Sequence, residues 1–150
     1  MDENGLKIFP PLYLVGMKID CWKCGKKMPV VAILAPNIED TDNEVCVLSD
    51  IVSLPEEVLE FVQKRVPTFK FRYSKMAGSE YFANTCPSCG SLSGDFFLHS
   101  EPGAPFFPTD DQEASLLYFT EIFIQKPVHV RAGFHIGTGE LILSNAKNIA

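Results

Sequence analysis

The segments CWKCG at residues 21–25 and CPSCG at residues 86–90 decide the fold of this 150-residue chain. Each is a C-x-x-C-G unit, whose spacing places two thiolates on one tight turn, while the glycine lets the backbone curl toward the sulfurs. Zinc in structural sites is held by four such ligands in a tetrahedron. The spacing therefore predicts one structural Zn²⁺ bound by four thiolates, those of Cys21, Cys24, Cys86 and Cys89.

Two alternatives use the same four cysteines. Cys86-Pro87-Ser88-Cys89 resembles the reactive dithiol of glutaredoxin-like proteins, so a CxxC thiol redox protein stays open, as do four buried thiols without a metal. Redox dithiols normally open a helix in a βαβ unit, whereas each pair here lies between predicted strands, which favours the metal. The fifth cysteine, Cys46, is predicted to be a small buried hydrophobe.

Composition and length predict one soluble globular domain over residues 1–150. The chain is 46% hydrophobic and 21% charged, which excludes a disordered chain. Its net charge of −6 argues against a protein that coats nucleic acid without sequence specificity. Residues 1–5 are acidic and polar, and the longest apolar run, 28–36, is far shorter than the roughly 20 residues of a membrane helix. We therefore expect a cytoplasmic protein that makes no membrane contact.

The hydrophobic pattern predicts an α+β domain that is rich in strands. Strands are expected at 12–20, 28–35, 45–52, 69–73, 80–85, 92–99 and 128–136, the last followed by a hairpin turn into 141–143. The apolar segment 28–35 has no polar face and is typical of a central strand covered on both sides. Residues 12–100 would carry a split zinc ribbon, and residues 109–150 would form a β-rich C-terminal part.

One main helix is predicted between the two cysteine pairs, over residues 53–65. Ser53-Leu54-Pro55-Glu56 has the form of a capping box, with Ser at the cap and Glu three residues later. Acidic residues crowd the first turns and basic residues the last, as the helix dipole favours. The helix should end just before Pro67.

The cysteine units resemble the knuckles of the zinc-ribbon class. The segment 84–90 (NTCPSCG), continuing to 94–99 (GDFFLH), is similar to segments of uncharacterised bacterial zinc-ribbon proteins. The resemblance covers both knuckles and their flanks but not the C-terminal third. Zinc ribbons often serve in nucleic-acid assemblies, and many others brace a fold or hold a protein partner. The resemblance implies the metal and leaves the partner open.

Two groups of residues are candidates for contact with a partner. Lys70 and Arg72 alternate with aromatic residues in a stretch free of acids, and such bases can contact phosphates while the aromatics stack on nucleobases. Strand alternation favours a second interpretation, in which the aromatics face the core and the bases face water. His129, Arg131 and His135 share a predicted strand face and form the other group.

An enzyme is the main functional alternative. Asp95, His99, His129 and His135 could supply a general acid and base if they met in one pocket. The sequence lacks G-x-x-x-x-G-K, G-x-G-x-x-G, H-E-x-x-H and G-x-S-x-G, so no complete catalytic motif supports that function. The leading hypothesis is a zinc-stabilised, non-enzymatic binding module that engages a protein or nucleic-acid partner.

Overall fold

The computed structural model describes residues 5–149, which form ten strands and four helices. The elements, in chain order, are β1 (Leu6–Ile8), β2 (Leu12–Asp20), β3 (Lys27–Ala35), β4 (Cys46–Ser53), α1 (Glu56–Arg65), β5 (Phe69–Ser74), β6 (Ser79–Thr85), β7 (Leu92–Ser93), α2 (Asp95–Ser100), α3 (Asp111–Ala114), β8 (Tyr118–Ile122), β9 (Val128–His135), α4 (Gly139–Asn145) and β10 (Lys147–Asn148).

The strands form two sheets. Seven strands form the larger sheet in the order β1-β9-β4-β3-β2-β8-β10, and β5-β6-β7 form the smaller one. Paired strands are antiparallel except β8 and β10, which are parallel. The predicted strand-rich α+β architecture is confirmed. The segment 109–150 contributes β8, β9 and β10 to the larger sheet, so it is continuous with the sheet formed by β2, β3 and β4.

Strand β3 lies at the centre of the larger sheet, as its uninterrupted apolar sequence predicts. Val31 and Ile33 belong to a core with Val58 and Val62 of α1 on one face of the sheet. The alternate residues Val30, Ala32 and Leu34 belong to a second core on the other face, with side chains from α2, α4 and the loop between α2 and α3 (Leu98, Ile142 and Phe106). Both faces of the sheet are therefore covered at β3.

Helix α1 begins three residues later than the predicted helix over 53–65. Ser53 is the last residue of β4 and pairs with Arg131 of β9, so the sheet holds it in an extended conformation. Pro55 occupies the N-cap position, and no side chain caps the helix there. The capping-box prediction is wrong, because Ser53 is held in the sheet by strand pairing and does not cap the helix. The predicted end of the helix at Arg65 is confirmed.

Two predicted strands are helices. The segment predicted as a strand over 92–99 is strand only at β7 and then becomes α2, where Asp95, Leu98 and His99 are buried together. That spacing of three and four residues is helical, and Leu98 and His99 are adjacent, which an alternating strand does not allow. The predicted hairpin after β9 is α4 instead. A Cβ on Gly139 would overlap the Val45 carbonyl, so the start of α4 packs directly against backbone.

The prediction that a secretory leader is absent concerns residues 1–5, of which residues 1–4 lie outside the described part of the chain. None of the helices within residues 5–149 has the length and apolarity needed to cross a membrane.

Candidate functional site

The two cysteine units form turns with matching hydrogen bonds. In the first knuckle (residues 21–25) the Gly25 N–H donates to the Cys21 carbonyl at 3.0 Å, and in the second (residues 86–90) the Gly90 N–H donates to the Cys86 carbonyl at 2.9 Å. The first sulfur of each knuckle also accepts a backbone N–H two residues later, at 3.4 Å in both cases. The repeated sequence therefore forms a repeated local structure.

Glycine is required at the end of each knuckle by backbone conformation. Gly25 and Gly90 have φ values of 75° and 78°, in the left-handed region that other residues avoid. Beyond the adjacent residues of the chain, no atom lies within 4 Å of the position that a Cβ would take at either glycine, so space does not explain the residue choice. The positive φ turns each chain back into the strand that follows.

Asn84 holds the second knuckle against the strand that leaves the first. Its side-chain carbonyl accepts the Val31 N–H at 2.8 Å, and its amide donates to the Val31 carbonyl at 3.1 Å. Strand β4 pairs with β3 only at Leu34 and Ala35, so the edge of β3 at Val31 has no strand neighbour on that side. The Asn84 amide takes the place of that neighbour and is 1% exposed.

Two further hydrogen bonds connect the knuckles to strands of the smaller sheet. The Trp22 indole N–H donates to the Leu92 carbonyl at 2.6 Å, which links the first knuckle to β7. The Arg72 guanidinium donates to the Gly90 carbonyl at 2.9 Å, which links β5 to the second knuckle. Arg72, predicted as a partner-binding residue, therefore makes a contact within the fold, whatever else it binds.

The four predicted ligands converge. The sulfurs of Cys21, Cys24, Cys86 and Cys89 all lie within 4.8 Å of one another. The Cys21 and Cys89 sulfurs are 3.6 Å apart, and the Cys24 and Cys86 sulfurs are 3.7 Å apart, so both short separations join one knuckle to the other. Cys21 and Cys86 are buried, whereas Cys24 and Cys89 are exposed. This thiol cluster could hold a metal ion.

The thiols of the cluster differ in acidity. The hydroxyl and the backbone N–H of Ser91 lower the pKa of Cys89 to about 6. The Lys26 backbone N–H lowers the pKa of Cys24, but desolvation and hydrogen bonds to the neighbouring sulfurs outweigh it and raise that pKa to about 11. Close sulfurs cannot all carry negative charge unless a cation lies among them. A positive ion among the four sulfurs could therefore allow all of them to ionise.

Cys46 lies apart from the thiol cluster. It is fully buried in the core formed with α1, where its thiol donates weakly to the Glu44 carbonyl at 3.6 Å. The prediction that Cys46 is a small buried hydrophobe is confirmed.

The aromatic and basic side chains of β5 do not follow the simple inside–outside alternation. Phe69 is buried, but Phe71 and Tyr73 are 46% and 57% exposed, because β5 is an edge strand of the smaller sheet. Lys70, on the opposite face of β5, is also exposed. The prediction that all the aromatics face the core is wrong beyond Phe69.

The three candidate partner-binding residues of β9 have different surroundings. His129 and Arg131 are exposed side chains on the strand between β1 and β4. His135, at the end of the same strand, is half-buried and lies against His99 of α2. His135 therefore belongs to a different site from the first two.

Asp95, His99 and His135 meet in a buried acid–histidine cluster. The ring nitrogens His99 Nδ1 and His135 Nε2 share a hydrogen bond of 3.1 Å, and His99 Nε2 is 3.9 Å from Asp95 Oδ2. The same carboxylate oxygen accepts the backbone N–H of Asp50 at 2.7 Å, and the Asp95 N–H donates to the Tyr81 hydroxyl at 3.1 Å. His129, grouped with these residues from the sequence, is exposed on β9 and contributes nothing to the cluster.

The cluster borders a cavity of about 370 Å³ between β4, β6 and α2. Asp50, Tyr81, Asp95 and His99 line it, together with the apolar side chains Met76, Phe96 and Phe97. Asp50 has a φ of 49° at an irregularity in the pairing of β4 with β9. Strained backbone of this kind is concentrated at functional sites and costs roughly 1–3 kcal/mol.

Burial sets the protonation states in the acid–histidine cluster. Desolvation raises the pKa of Asp95 to about 7, although the Asp50 N–H opposes the shift. Desolvation, together with the neighbouring His135, lowers the pKa of His99 to about 3. The pKa of His135 is also lowered by burial. At neutral pH both histidines are therefore uncharged, and the 3.9 Å contact between His99 and Asp95 is not an ion pair.

Three residues that hold these sites together, Asp50, Tyr81 and Asn84, were not predicted from the sequence. Asp50 could have been found from β4, where Leu48 and Ile51 both enter the same core although they are three residues apart. An alternating strand reaches one face at every second residue, so that spacing requires an extra residue between them. No sequence signal marks the hydroxyl of Tyr81 or the amide of Asn84, since each forms hydrogen bonds with a residue that is distant in the chain.

Comparison of the chain with protein-family models, with curated proteins and with solved structures finds no match.

Proposed function

We propose that this chain is a zinc-stabilised, non-enzymatic binding module, built on a split zinc ribbon, that engages a protein or nucleic-acid partner. The observation that carries the proposal is the convergence of four cysteine sulfurs within 4.8 Å of one another from two cysteine pairs separated by 61 residues of the chain. Dispersed thiols rarely meet in this way in a reducing compartment unless they share a metal.

The donor set fits zinc. Two sulfurs at about 2.3 Å from a tetrahedral zinc are about 3.8 Å apart, close to the 3.6 Å and 3.7 Å separations within the thiol cluster. Four thiolates leave no open coordination position, which is the mark of a structural rather than a catalytic zinc. When bound, zinc supplies the positive charge that lets the four thiols ionise together.

The ion would join the two sheets. The first knuckle connects β2 to β3 in the larger sheet, and the second connects β6 to β7 in the smaller sheet. Metal bound between the knuckles would fix the smaller sheet against β3, where Asn84 already bonds to Val31. We place the protein in the cytoplasm, because a reducing compartment keeps these thiols available to a metal.

Metal analysis of the untagged full-length protein tests the proposal. We expect about one zinc per chain, lost in Cys24→Ser and retained in Cys46→Ala, which removes a thiol outside the cluster. A protein without metal, whose two dithiols oxidise rapidly, would overturn the proposal in favour of the thiol redox alternative. That alternative has little support, since both knuckles lie between strands rather than at the start of a helix.

Strand β5 is the candidate surface for a nucleic-acid partner, because this edge strand exposes Lys70 on one face and the rings of Phe71 and Tyr73 on the other. Lys70→Ala should weaken binding to a single-stranded oligonucleotide and reduce the salt slope by about one, while Lys126→Ala, at another exposed lysine, should change neither. Unchanged affinity in Lys70→Ala, or no binding by the unaltered protein, would favour a protein partner. Arg72→Ala is a poorer probe, since it also removes the bond to Gly90.

An enzyme is the second candidate function, favoured by the convergence of Asp95, His99 and His135 beside a cavity. A carboxyl group whose pKa is raised to about 7 suits general acid–base chemistry at neutral pH. Screening against ester, phosphoester and glycoside substrates tests this candidate. An activity that Asp95→Asn abolishes and Asp110→Asn leaves intact would support it. Activity that is absent, or equal in both variants, would remove it.

A further inference from the structure

A groove of about 700 Å³ crosses the larger sheet on the face that carries α1. Its floor is formed by β2, β3 and β8, through side chains such as Leu14, Val31 and Thr120. Arg65 and Val66, at the end of α1, form one wall, and Leu116 and Ile149 lie on the other side. The groove exists because α1 and β5 cover this face over β3 and β4 but leave β2 and β8 open.

The lining of this groove is apolar and exposed. Leu116 is 55% exposed and Ile149 is 60% exposed, and Tyr118 beside them is also exposed. Leaving large apolar side chains in water is unfavourable, and a large contiguous patch of exposed apolar side chains usually marks a binding site. The volume falls within the roughly 300–1,000 Å³ range of small-molecule sites.

The charged groups of the groove are all cations. Lys18 and Arg65 line it, no acidic residue does, and the Lys147 ammonium lies 5.3 Å from the ring centroid of Tyr118. This is unusual in a chain with 19 acidic and 13 basic residues. Within residues 5–149 neither Lys18 nor Arg65 forms an ion pair with a carboxylate. The Arg65 guanidinium lies 3.6 Å from the Phe61 ring centroid and donates to the Phe61 carbonyl at 3.1 Å, in an exposed contact that leaves its charge without an anionic partner.

We propose that this groove binds a free long-chain carboxylate, with its alkyl chain on the floor and its carboxylate against Lys18 and Arg65. Along β2 the floor runs from Leu14 to Lys18, about 13 Å at the rise of an antiparallel strand, so the apolar and cationic ends are well separated. An amphipathic anion matches this arrangement, whereas a nucleic acid would leave the apolar floor unused. The proposal goes beyond the binding module and does not depend on metal in the thiol cluster.

Calorimetric titration of the full-length protein with free saturated carboxylates, below their micelle concentrations, tests this binding. We expect dodecanoate to bind and octanoate to bind more weakly, with affinity changing on the order of tenfold for every two methylene groups. Dodecyltrimethylammonium, which has the same chain and the opposite charge, should bind at least roughly tenfold more weakly than dodecanoate. No binding of dodecanoate, no chain-length dependence, or equal affinity for the cation would overturn the proposal.

Matched variants locate the binding. Lys18→Glu and Leu116→Asp should each weaken dodecanoate roughly tenfold or more, because they place negative charge in the groove. Lys126→Glu and Phe123→Asp make the same changes at exposed residues outside the groove and should leave affinity unaltered. Equal losses in both pairs would overturn the proposal. So would a dimer that Leu116→Asp dissociates, because the groove would then be the interface between two copies.

Discussion

The thiol cluster and the acid–histidine cluster are both assembled from distant parts of the chain, but they balance charge in opposite ways. The thiol cluster brings together four groups that could share a cation, and two of them are exposed. The acid–histidine cluster buries Asp95 and His99 and keeps His99 uncharged at neutral pH. Among the described residues, every buried side-chain polar atom has a hydrogen-bond partner.

This difference predicts different dependence on the surroundings. An ion that joins two knuckles contributes to folding directly, since unfolded chains lack a preformed site. The groups of the acid–histidine cluster bond to one another and to backbone, and their contribution to stability changes with pH because burial shifts their pKa values. A chelator should therefore act only on the thiol cluster, whereas pH should act on the acid–histidine cluster and also on the protonation of the cysteine ligands.

The largest effect should come from removing a buried ligand of the thiol cluster. Cys86→Ser should abolish metal binding and lower the free energy of unfolding by several kcal/mol, because structural zinc sites contribute about 10–16 kcal/mol in small peptides. Denaturant unfolding with and without a chelator measures this, and the chelator should no longer affect the variant. Cys46→Ala, at an equally buried cysteine outside the cluster, should cost only about 1–2 kcal/mol. Equal losses in the two variants would contradict the account.

The next effect tests how the knuckles are brought together. Asn84→Leu leaves the N–H and carbonyl of Val31 without partners at the open edge of β3, which should cost about 2–4 kcal/mol and weaken metal affinity. Thermal unfolding and a competitive zinc titration measure the two quantities. Asn145→Ala removes bonds to Asp111 and to the Leu141 carbonyl near the surface, and should cost less than about 1 kcal/mol. A loss in Asn84→Leu no larger than this would show that Asn84 does not position the second knuckle.

The acid–histidine cluster should give stability two opposing pH dependences. The pKa of Asp95 is raised from 3.8 to about 7 in the folded protein, so its contribution is full below pH 3.8 and is lost as the pH rises through 7. The pKa of His99 is lowered from 6.5 to about 3, so its contribution is full above pH 6.5 and is lost as the pH falls through 3. Between about pH 4 and pH 6.5 the two dependences oppose each other.

Single variants should separate the two dependences. In His99→Gln, the free energy of unfolding relative to the unaltered protein should fall as the pH rises from about 3 to 6.5. In Asp95→Asn it should rise with pH over about 4 to 7. Each change should be on the order of a few kcal/mol. Urea unfolding at a series of pH values measures both, with the lowered pKa of His135 adding to the His99 dependence. Parallel pH profiles for the two variants would contradict the assigned protonation states.

The smallest effect should come from the exposed link between the first knuckle and β7. Trp22→Phe removes the hydrogen bond from the indole to the Leu92 carbonyl and should cost about 0.5–1.5 kcal/mol without changing metal content. Chemical unfolding followed by circular dichroism measures the cost. A loss above about 3 kcal/mol, or loss of metal, would mean that this bond rather than the thiol cluster holds the knuckle in place.

The sequence was informative where local spacing carries the structure. The two C-x-x-C-G units predict the thiol cluster because each half-site is contiguous, and β3 is predicted because a run of apolar residues suits a strand covered on both faces. Helix α2 was not predicted because its buried face carries the polar residues Asp95 and His99 beside Leu98. The large apolar side chains Phe96 and Phe97 are exposed instead, so hydrophobicity does not follow the helical period.

The acid–histidine cluster was only partly predictable. Asp95, His99 and His135 were candidates from residue type, but their meeting depends on how α2 lies against β4 and β9. His129 has the same sequence parity as His135 and yet is exposed, because parity does not fix surroundings at the end of a strand. Asp50 and Tyr81 enter the cluster through a strand irregularity and a backbone contact, which residue type does not encode.

The central claim is that the four cysteines bind one zinc through sulfur alone. X-ray absorption at the zinc edge, on protein purified without added metal, measures the ligands directly. The account predicts four sulfur ligands at about 2.3 Å. Nitrogen or oxygen ligands, or fewer than four sulfurs, would contradict it.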